Sequence, residues 1–427
     1  MGHGNGFLKS DFYYAFDNIE QGIFTTRDRA KHARKRKFVA HMFSPKSMVD
    51  FEPYTTHALI IMGRQFEKLL DTGKAGQYTV LGLQDEKIAA RQGKNEVAID
   101  GVAWAGFLAF DIIGDLAFGK SFGFCEAGVD VIQGIRKLRD RGEWCSTVGQ
   151  APWIKTWTPY FFFDTFFTQG FKAARGLATI GIACVEERKL TAIDPNRKDI
   201  LYYLLTAKDP DTGGPLPDRE LKAEALTQLI AGSDTTGNSI AQILDLVPRH
   251  PEKLRKLQAE LDAKFPSPIH PDFVAAFADC KDLPYLEAVI YEVLRLRTVT
   301  SMGLPRVVGK GGATVCGIPF KEGTVLSVPT YTTHRDTRIW GENALSFEPE
   351  RWLKGNRPDL EKSYLAFSYG PRACIGRNVA FMELKKTIST VFRRFEIRPV
   401  FPEKEPVIRE GFHNKVDDAL IFISRRA

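Results

Sequence analysis

Residues 367–377 read FSYGPRACIGR, and the architecture of the whole chain follows from how that stretch is interpreted. One cysteine, Cys374, stands between Gly370 and Gly376, with Arg372 two positions before it and Phe367 at the head. Downstream, IGRNVAFMELKKTISTVFRRF carries a helical pattern, which starts a long helix near Cys374 where the glycine-rich loop ends. A helix N-terminus offers free N–H groups and positive partial charge, both of which favour a thiolate. The two glycines remove side chains where a flat, bulky ligand would approach the backbone. Arg372 can meet an acidic group of such a ligand, and Phe367 can keep water from the sulfur. These are the needs of a thiolate bound axially to haem iron. A buried cysteine in a tight turn is the plainer alternative, and for a lone thiol the commoner one. A phosphatase loop of the C-x-x-x-x-R type fits less well, because Arg377 follows too soon and no strand pattern precedes the loop.

Outward from this stretch, helical periodicity dominates the first 300 residues. DRELKAEALTQLIAGSDTTGNSIAQILDLV, between Pro217 and Pro248, predicts one helix of about 45 Å. Its middle, GSDTTGN, is rich in poor helix formers, a local conflict with the surrounding pattern. Two amphipathic helices follow, PEKLRKLQAELDAKF and LPYLEAVIYEVLRLR. Beyond Pro305 short β-like runs alternate with Gly and Pro turns, as in ATVCGIPFKEGTVLSVPTY. No repeat, low-complexity tract or linker interrupts the chain, which predicts one mainly α domain, 1–427, with a small β portion.

The composition is that of an ordinary globular protein: 427 residues, 44% hydrophobic and 26% charged. A net charge of +7 can steer an acidic partner or a membrane surface, and does not by itself indicate nucleic acid. The six cysteines are scattered, without C-x-x-C pairs or zinc-finger histidines, which argues against a disulfide frame and against structural zinc. The most apolar run, WAGFLAFDIIGDLAFG, is interrupted by Asp111 and Asp115 and predicts no bilayer span.

FSYGPRACIGR fits the F-x-x-G-x-R-x-C-x-G haem signature at every fixed position, and so resembles the cytochrome P-450 superfamily. Other motifs recur in that family's order. AGSDTT (231–236) resembles its oxygen-activation motif. The resemblance implies that the Thr235 hydroxyl opens the helix for dioxygen and water, while Asp234 relays protons. Glu292 and Arg295 match the family's E-x-x-R pair, and Arg351 in FEPERW its third member, a buried ion-pair triad bracing the cysteine loop. FTTRDRAKHARKRKFVAHMFS is similar to the helix along the haem's propionate edge, with His32 in place of the usual tryptophan and Arg36 keeping the cation. Arg306 in GLPRVV matches a further propionate contact, beside that of Arg372. The crowding of Arg27, Arg29, Lys31, Arg34, Lys35 and Lys37 reads either as a solvated face or as a surface steering an acidic electron donor.

Within the family the chain is most similar to the fungal benzoate para-hydroxylases, on stretches including GHGNGFLKSDFYYAF, LAFDIIGDLAFG, TSMGLPRVV and FSYGPRACIGRNVAFMEL. The match covers only the later part of the family's pattern, so the expected fold lacks its membrane anchor, first helix and first sheet strands. The resemblance implies a haem b monooxygenase using dioxygen and electrons from an NADPH-dependent flavin reductase, at the endoplasmic reticulum membrane. The aromatic segment around WTPYFFFDTFF, within 151–167, is expected to form a lid loop that packs inward or meets the membrane interface. Para attack on a small aromatic carboxylate requires its anion to be held far from the iron. Lys9, Thr298, Thr300, Ser301, His413 and Lys415 are the candidate holders, the hydroxyl cluster with one cation foremost. A neutral aromatic substrate, an isomerase or dehydratase, a haem sensor and a haem-free fragment are the rival readings.

Overall fold

The pattern between Pro217 and Pro248 becomes one helix, Asp218–Leu246, in a computed structural model that describes residues 6–73, 86–190, 194 and 196–426. Residues 2–5 of the GHGNGFLKSDFYYAF match lie outside that range. This central helix packs closely on a second core helix, Gly101–Phe118. The close approach has a local cause: a Cβ on Gly237 would stand 3.3 Å from Ala109 Cβ and 3.4 Å from the Ala105 carbonyl. By length and composition Gly101–Phe118 could cross a membrane, but 83% of it is buried inside the fold. Asp111, which breaks its apolar run, accepts from the backbone N–H groups of Phe124 and Cys125 at 3.0 and 2.7 Å. Asp115 pairs with Arg197.

The poor helix formers of GSDTTGN do not break the central helix. Their side chains bond back to the preceding turn: Ser233 to the Leu229 carbonyl, Thr235 to that of Ala231, both at 2.6 Å, and Ser239 to that of Thr235 at 2.8 Å. Small residues here serve space rather than propensity, since Ala231 is exposed in the middle of a buried helix and lines an internal cavity.

The cysteine loop ends in the helix Arg377–Arg394, three residues later than the sequence pattern suggested. Gly376 caps that helix, and Gly370–Arg372 form a separate short 3-10 turn. Strands are few. Val97–Asp100, Leu420–Arg425 and Phe395–Pro399 form one antiparallel sheet in that spatial order, with Phe422 paired to both Ala98 and Arg398. Leu8–Lys9, Arg306–Val307 and Val325–Leu326 form another, and two-stranded hairpins lie at Ala313–Phe320 and Ile408–Val416. The second hairpin lowers Phe412 and His413 onto the cavity beside the central helix.

Two sequence expectations change. The WTPYFFFDTFF segment is not simply a loop: a helical turn, Ile154–Trp157, and a 3-10 turn, Thr158–Tyr160, lead into the helix Thr165–Leu190. Several of its aromatic rings point outward, with Phe162 80% and Phe163 75% exposed, while Phe167 packs inward against a buried cluster. Nor is the basic run a uniform surface. On its helix, Arg29–Val39, Arg34 pairs with Asp209 and Glu220, and buried Lys35 with Glu220 and Glu224. Arg27, Arg29, Lys31 and Lys37 stay exposed.

Candidate active site

A cavity of about 340 Å³ lies between the cysteine loop, the central helix, the basic helix and the hairpin tip. Cys374 is exposed to it, and protein surrounds the thiol on its other sides. The loop holds Cys374 through a 2.9 Å bond from its N–H to the Phe367 carbonyl, while Arg36 donates to the adjacent Ala373 carbonyl at 3.1 Å. The expected depression of the thiol pKa is not met: the thiol is raised instead. Burial raises it, and the Gly376 N–H and the charges of Arg36 and Arg377 offset only part of that. Phe367 lines the cavity and stacks near Phe381, with centroids 5.2 Å apart. Gly376 lines it too, whereas Gly370 does not. Gly370 takes a left-handed φ of 78°, so its glycine serves the turn.

Beside the cysteine wall, Lys9, His32, Arg36 and Arg372 line one end of the cavity, with Arg306 close behind on its strand. Arg372 donates to the Thr26 carbonyl at 2.8 Å and to that of Arg27 at 3.2 Å, and Arg306 bonds Tyr13 and the Pro305 carbonyl. Among the described residues none of the five forms an ion pair with a carboxylate. The strain of that arrangement shows in the titration of His32, Arg372 and Lys9. Burial, then Arg372 and Lys9, push His32 down to about 3. Burial and Arg306 push Arg372 down to about 10, and burial with Arg372 and Arg306 holds Lys9 well below the usual lysine range. A partly buried group of Lys9, Arg36, Arg306 and Arg372 without an anion, beside a neutral His32, fits a dianionic ligand that is to come.

Space agrees with charge. A Cβ built on Gly376 meets nothing within 4 Å, so the cavity wall that Gly376 shares with Cys374 has open space at that point. A thiolate ligand, an open wall and an unpaired cationic edge together suit a haem, with Cys374 on the iron and the cations at its propionates. The cytochrome P450 family model matches residues 5–417. The chain belongs to the cytochrome P450 family.

Relatives agree. A benzoate 4-monooxygenase of Aspergillus niger is 42% identical, over 100% of this chain and 81% of its own length. A cytochrome P450 monooxygenase of Aspergillus terreus is 30% identical over 93% of this chain and 79% of its own. The crystal structure of a cytochrome P450 haem domain shares the fold with a TM-score of 0.78, covering 99% of this chain and 84% of that one at 19% identity.

The rest of this P450's site divides into groups that the sequence anticipated and groups that it did not. Glu292, Arg295 and Arg351 come together, all buried, with Nε and Nη2 of Arg295 on the carboxylate at 2.9 and 2.8 Å and Arg351 at 2.9 Å. His334 was missed. Its Nδ1 lies 3.0 Å from the Arg295 carbonyl, and its Nε2 accepts from the Leu365 N–H at 2.8 Å. That acceptor role places the proton on Nδ1, so a neutral imidazole ties the triad to the cysteine loop. Burial pushes His334 down to about 3, consistent with that form.

Asp234 does not stand free. His413 Nδ1 donates to Oδ2 at 2.6 Å, Lys415 reaches Oδ1 at 2.8 Å, and Asn238 bonds the same oxygen at 3.1 Å. Burial works to raise its pKa, but Lys415 and His413 outweigh that and hold the carboxyl well below the usual range. Of the candidate anion holders, Lys9, Thr298, Thr300 and His413 line the cavity, and the buried Thr298 hydroxyl has no hydrogen-bond partner. Ser301 and Lys415 do not line it. Ser301 bonds Asn414 at 2.9 Å, Lys415 is spent on Asp234, and Lys9 stands in the cationic cluster.

Glu383, two turns into the terminal helix, was also missed. It lines the cavity, and burial pushes it up to about 8 despite a bond to Thr236. It is therefore neutral at pH 7. Because its folded pKa exceeds its unfolded one, the stabilisation from this group is complete below about pH 4.5 and is lost as pH rises through about 8. Relative to the parent, Glu383→Gln is expected to flatten stability against pH by about 1.4 kcal/mol per unit over that window. Denaturation midpoints of both proteins from pH 6 to 8 check this, and parallel curves would disprove it.

Proposed function

We propose that this P450 is a haem-thiolate monooxygenase that hydroxylates a small aromatic carboxylate, benzoate or a near analogue, opposite its acid group. The observation that carries the reading is one cavity in which Cys374 and Thr235 meet a phenylalanine-lined wall of Phe16, Phe24 and Phe412. The 42% identical relative named benzoate 4-monooxygenase supports the substrate class. Iron protoporphyrin IX, bound through Cys374, supplies dioxygen activation and oxygen transfer to the ring.

The chain's own residues do the rest. Thr235 donates its hydroxyl proton to the Ala231 carbonyl, which leaves the oxygen able to accept from a water in the cavity. Asp234 stays ionised, so it does not itself deliver protons. It orients His413, whose Nε2 takes up and releases the proton that passes to that water. The aromatic wall keeps solvent from the ring. Outside, the exposed Arg27, Arg29, Lys31 and Lys37 suit an acidic NADPH-dependent flavin reductase. Trp153, Trp157, Tyr160, Phe162 and Phe163 suit the interface of an endoplasmic reticulum membrane.

Reconstituted with such a reductase and NADPH, the haem-loaded protein is expected to convert benzoate mainly to 4-hydroxybenzoate. A dominant 2- or 3-hydroxy product, or turnover of neutral aromatics alone, overturns the reading.

A further inference from the structure

One cation on the cavity wall belongs to neither the cationic cluster nor the Asp234 group. Arg141 lies midway along the helix Gly134–Gln150 and lines the cavity, with only 5% of its surface exposed. Its one hydrogen bond runs from Nη2 to the Phe16 carbonyl at 3.2 Å, and its Nε has no partner. Among the described residues no carboxylate pairs with it. Its charge acts on Cys145 and Lys155. A guanidinium is a permanent cation with five donors, and burying one against a single neutral carbonyl leaves most of its desolvation uncompensated. The other acids on the cavity wall do not relieve it: Asp234 is spent on His413 and Lys415, Glu383 is neutral, and Glu20 is exposed.

The surroundings of Arg141 specify what would. Its guanidinium carbon lies 5.7 Å from the centre of the Phe16 ring. Phe16 in turn meets Phe412 at 4.5 Å and Phe24 at 5.6 Å, and all three rings line the cavity. A buried cation with most of its hydrogen bonds unmade beside an aromatic wall matches a ligand with a carboxylate at one end and a flat ring at the other.

We propose that Arg141 is the specificity-determining anchor for the substrate carboxylate, through the part of its guanidinium that faces the cavity, with the ring against Phe16, Phe24 and Phe412. This rests on the aromatic-acid reading above. Held by its acid group at Arg141, a benzoate presents the opposite ring position at its far end. Para selectivity then follows from the anchor rather than from the hydroxyls of Thr298 and Thr300, which assist along the wall.

The test is a spectral titration of the ferric, haem-loaded protein with benzoate and with methyl benzoate, in the parent, Arg141→Met and Arg141→Lys. The parent is expected to bind the acid more tightly than the ester. Arg141→Met should weaken benzoate by roughly 30-fold or more, the loss typical of removing one partner of a buried charged pair. Its ester binding should stay within about twofold, which also certifies an intact pocket, and Arg141→Lys should recover part of the acid binding. If both Arg141 variants keep the parent's preference for the acid, the anchor lies elsewhere and the substrate reading stands. Equal loss of acid and ester in both variants also refutes the anchor, because Arg141 then only shapes the pocket. A parent that prefers the ester refutes the substrate reading, and the anchor with it.

Discussion

Cys374→Ala is expected to abolish the thiolate-type Soret band of the reduced carbon monoxide adduct, while Cys125→Ala and Cys316→Ala leave it intact. Of the six cysteines, Cys374 alone is on the cavity wall. Cys125, Cys145, Cys184 and Cys280 are buried elsewhere, with burial raising each thiol, and Cys316 sits exposed at the turn of the Ala313–Phe320 hairpin. The protein raises the Cys374 thiol as well, so the thiolate depends on the cation it binds, and metal coordination removes the proton outright. Without the sulfur, the cationic edge at Lys9, Arg36, Arg306 and Arg372, with His32 beside it, can still hold propionates. Residual haem with a shifted spectrum is therefore the expected remnant. A normal band in Cys374→Ala would rule out the assignment.

Glu292→Gln is expected to cost about 3–5 kcal/mol, the usual loss when a buried ion pair is left with one charge uncompensated. Here two arginines would be orphaned at once. Glu292 accepts two bonds from Arg295, one from Arg351, one at 2.9 Å from Trp352 Nε1 and one at 3.0 Å from the Glu348 N–H. Arg295 also holds the carbonyls of His334 and Ala344 at 2.6 Å, so its displacement loosens the segment that His334 joins to the cysteine loop. The variant should lose haem and solubility together, with no change in the product distribution of what survives. Equilibrium denaturation and the haem-to-protein absorbance ratio measure both effects. A well-folded Glu292→Gln with altered regioselectivity would contradict a structural role.

Much of this was legible in the chain itself. The cysteine signature, the E-x-x-R pair and the central helix between two prolines are short-range patterns. Each is set by local turn chemistry and helical spacing, which survive in a one-dimensional reading. Single residues within those patterns also carried meaning, as Thr235 shows: a hydroxyl one turn from the Ala231 carbonyl bonds back whatever lies around it.

Only the tertiary structure decided the charges. Whether a cation is spent or free depends on which distant segment folds over it. The basic run looked uniform, but Arg34 and Lys35 are consumed by Asp209, Glu220 and Glu224, more than 170 residues away. Asp234 and His413 are 179 residues apart and became one hydrogen-bonded pair, so the carboxylate that the sequence left free is held by an imidazole from a distant hairpin. Arg141 sits in an unremarkable DRGEW stretch with nothing to mark it. The role proposed for it rests on what packing left undone: it is buried against Phe16, and among the described residues no carboxylate pairs with it. Periodicity reports which face a residue occupies, and the partner a buried charge lacks exists only once the helices have packed.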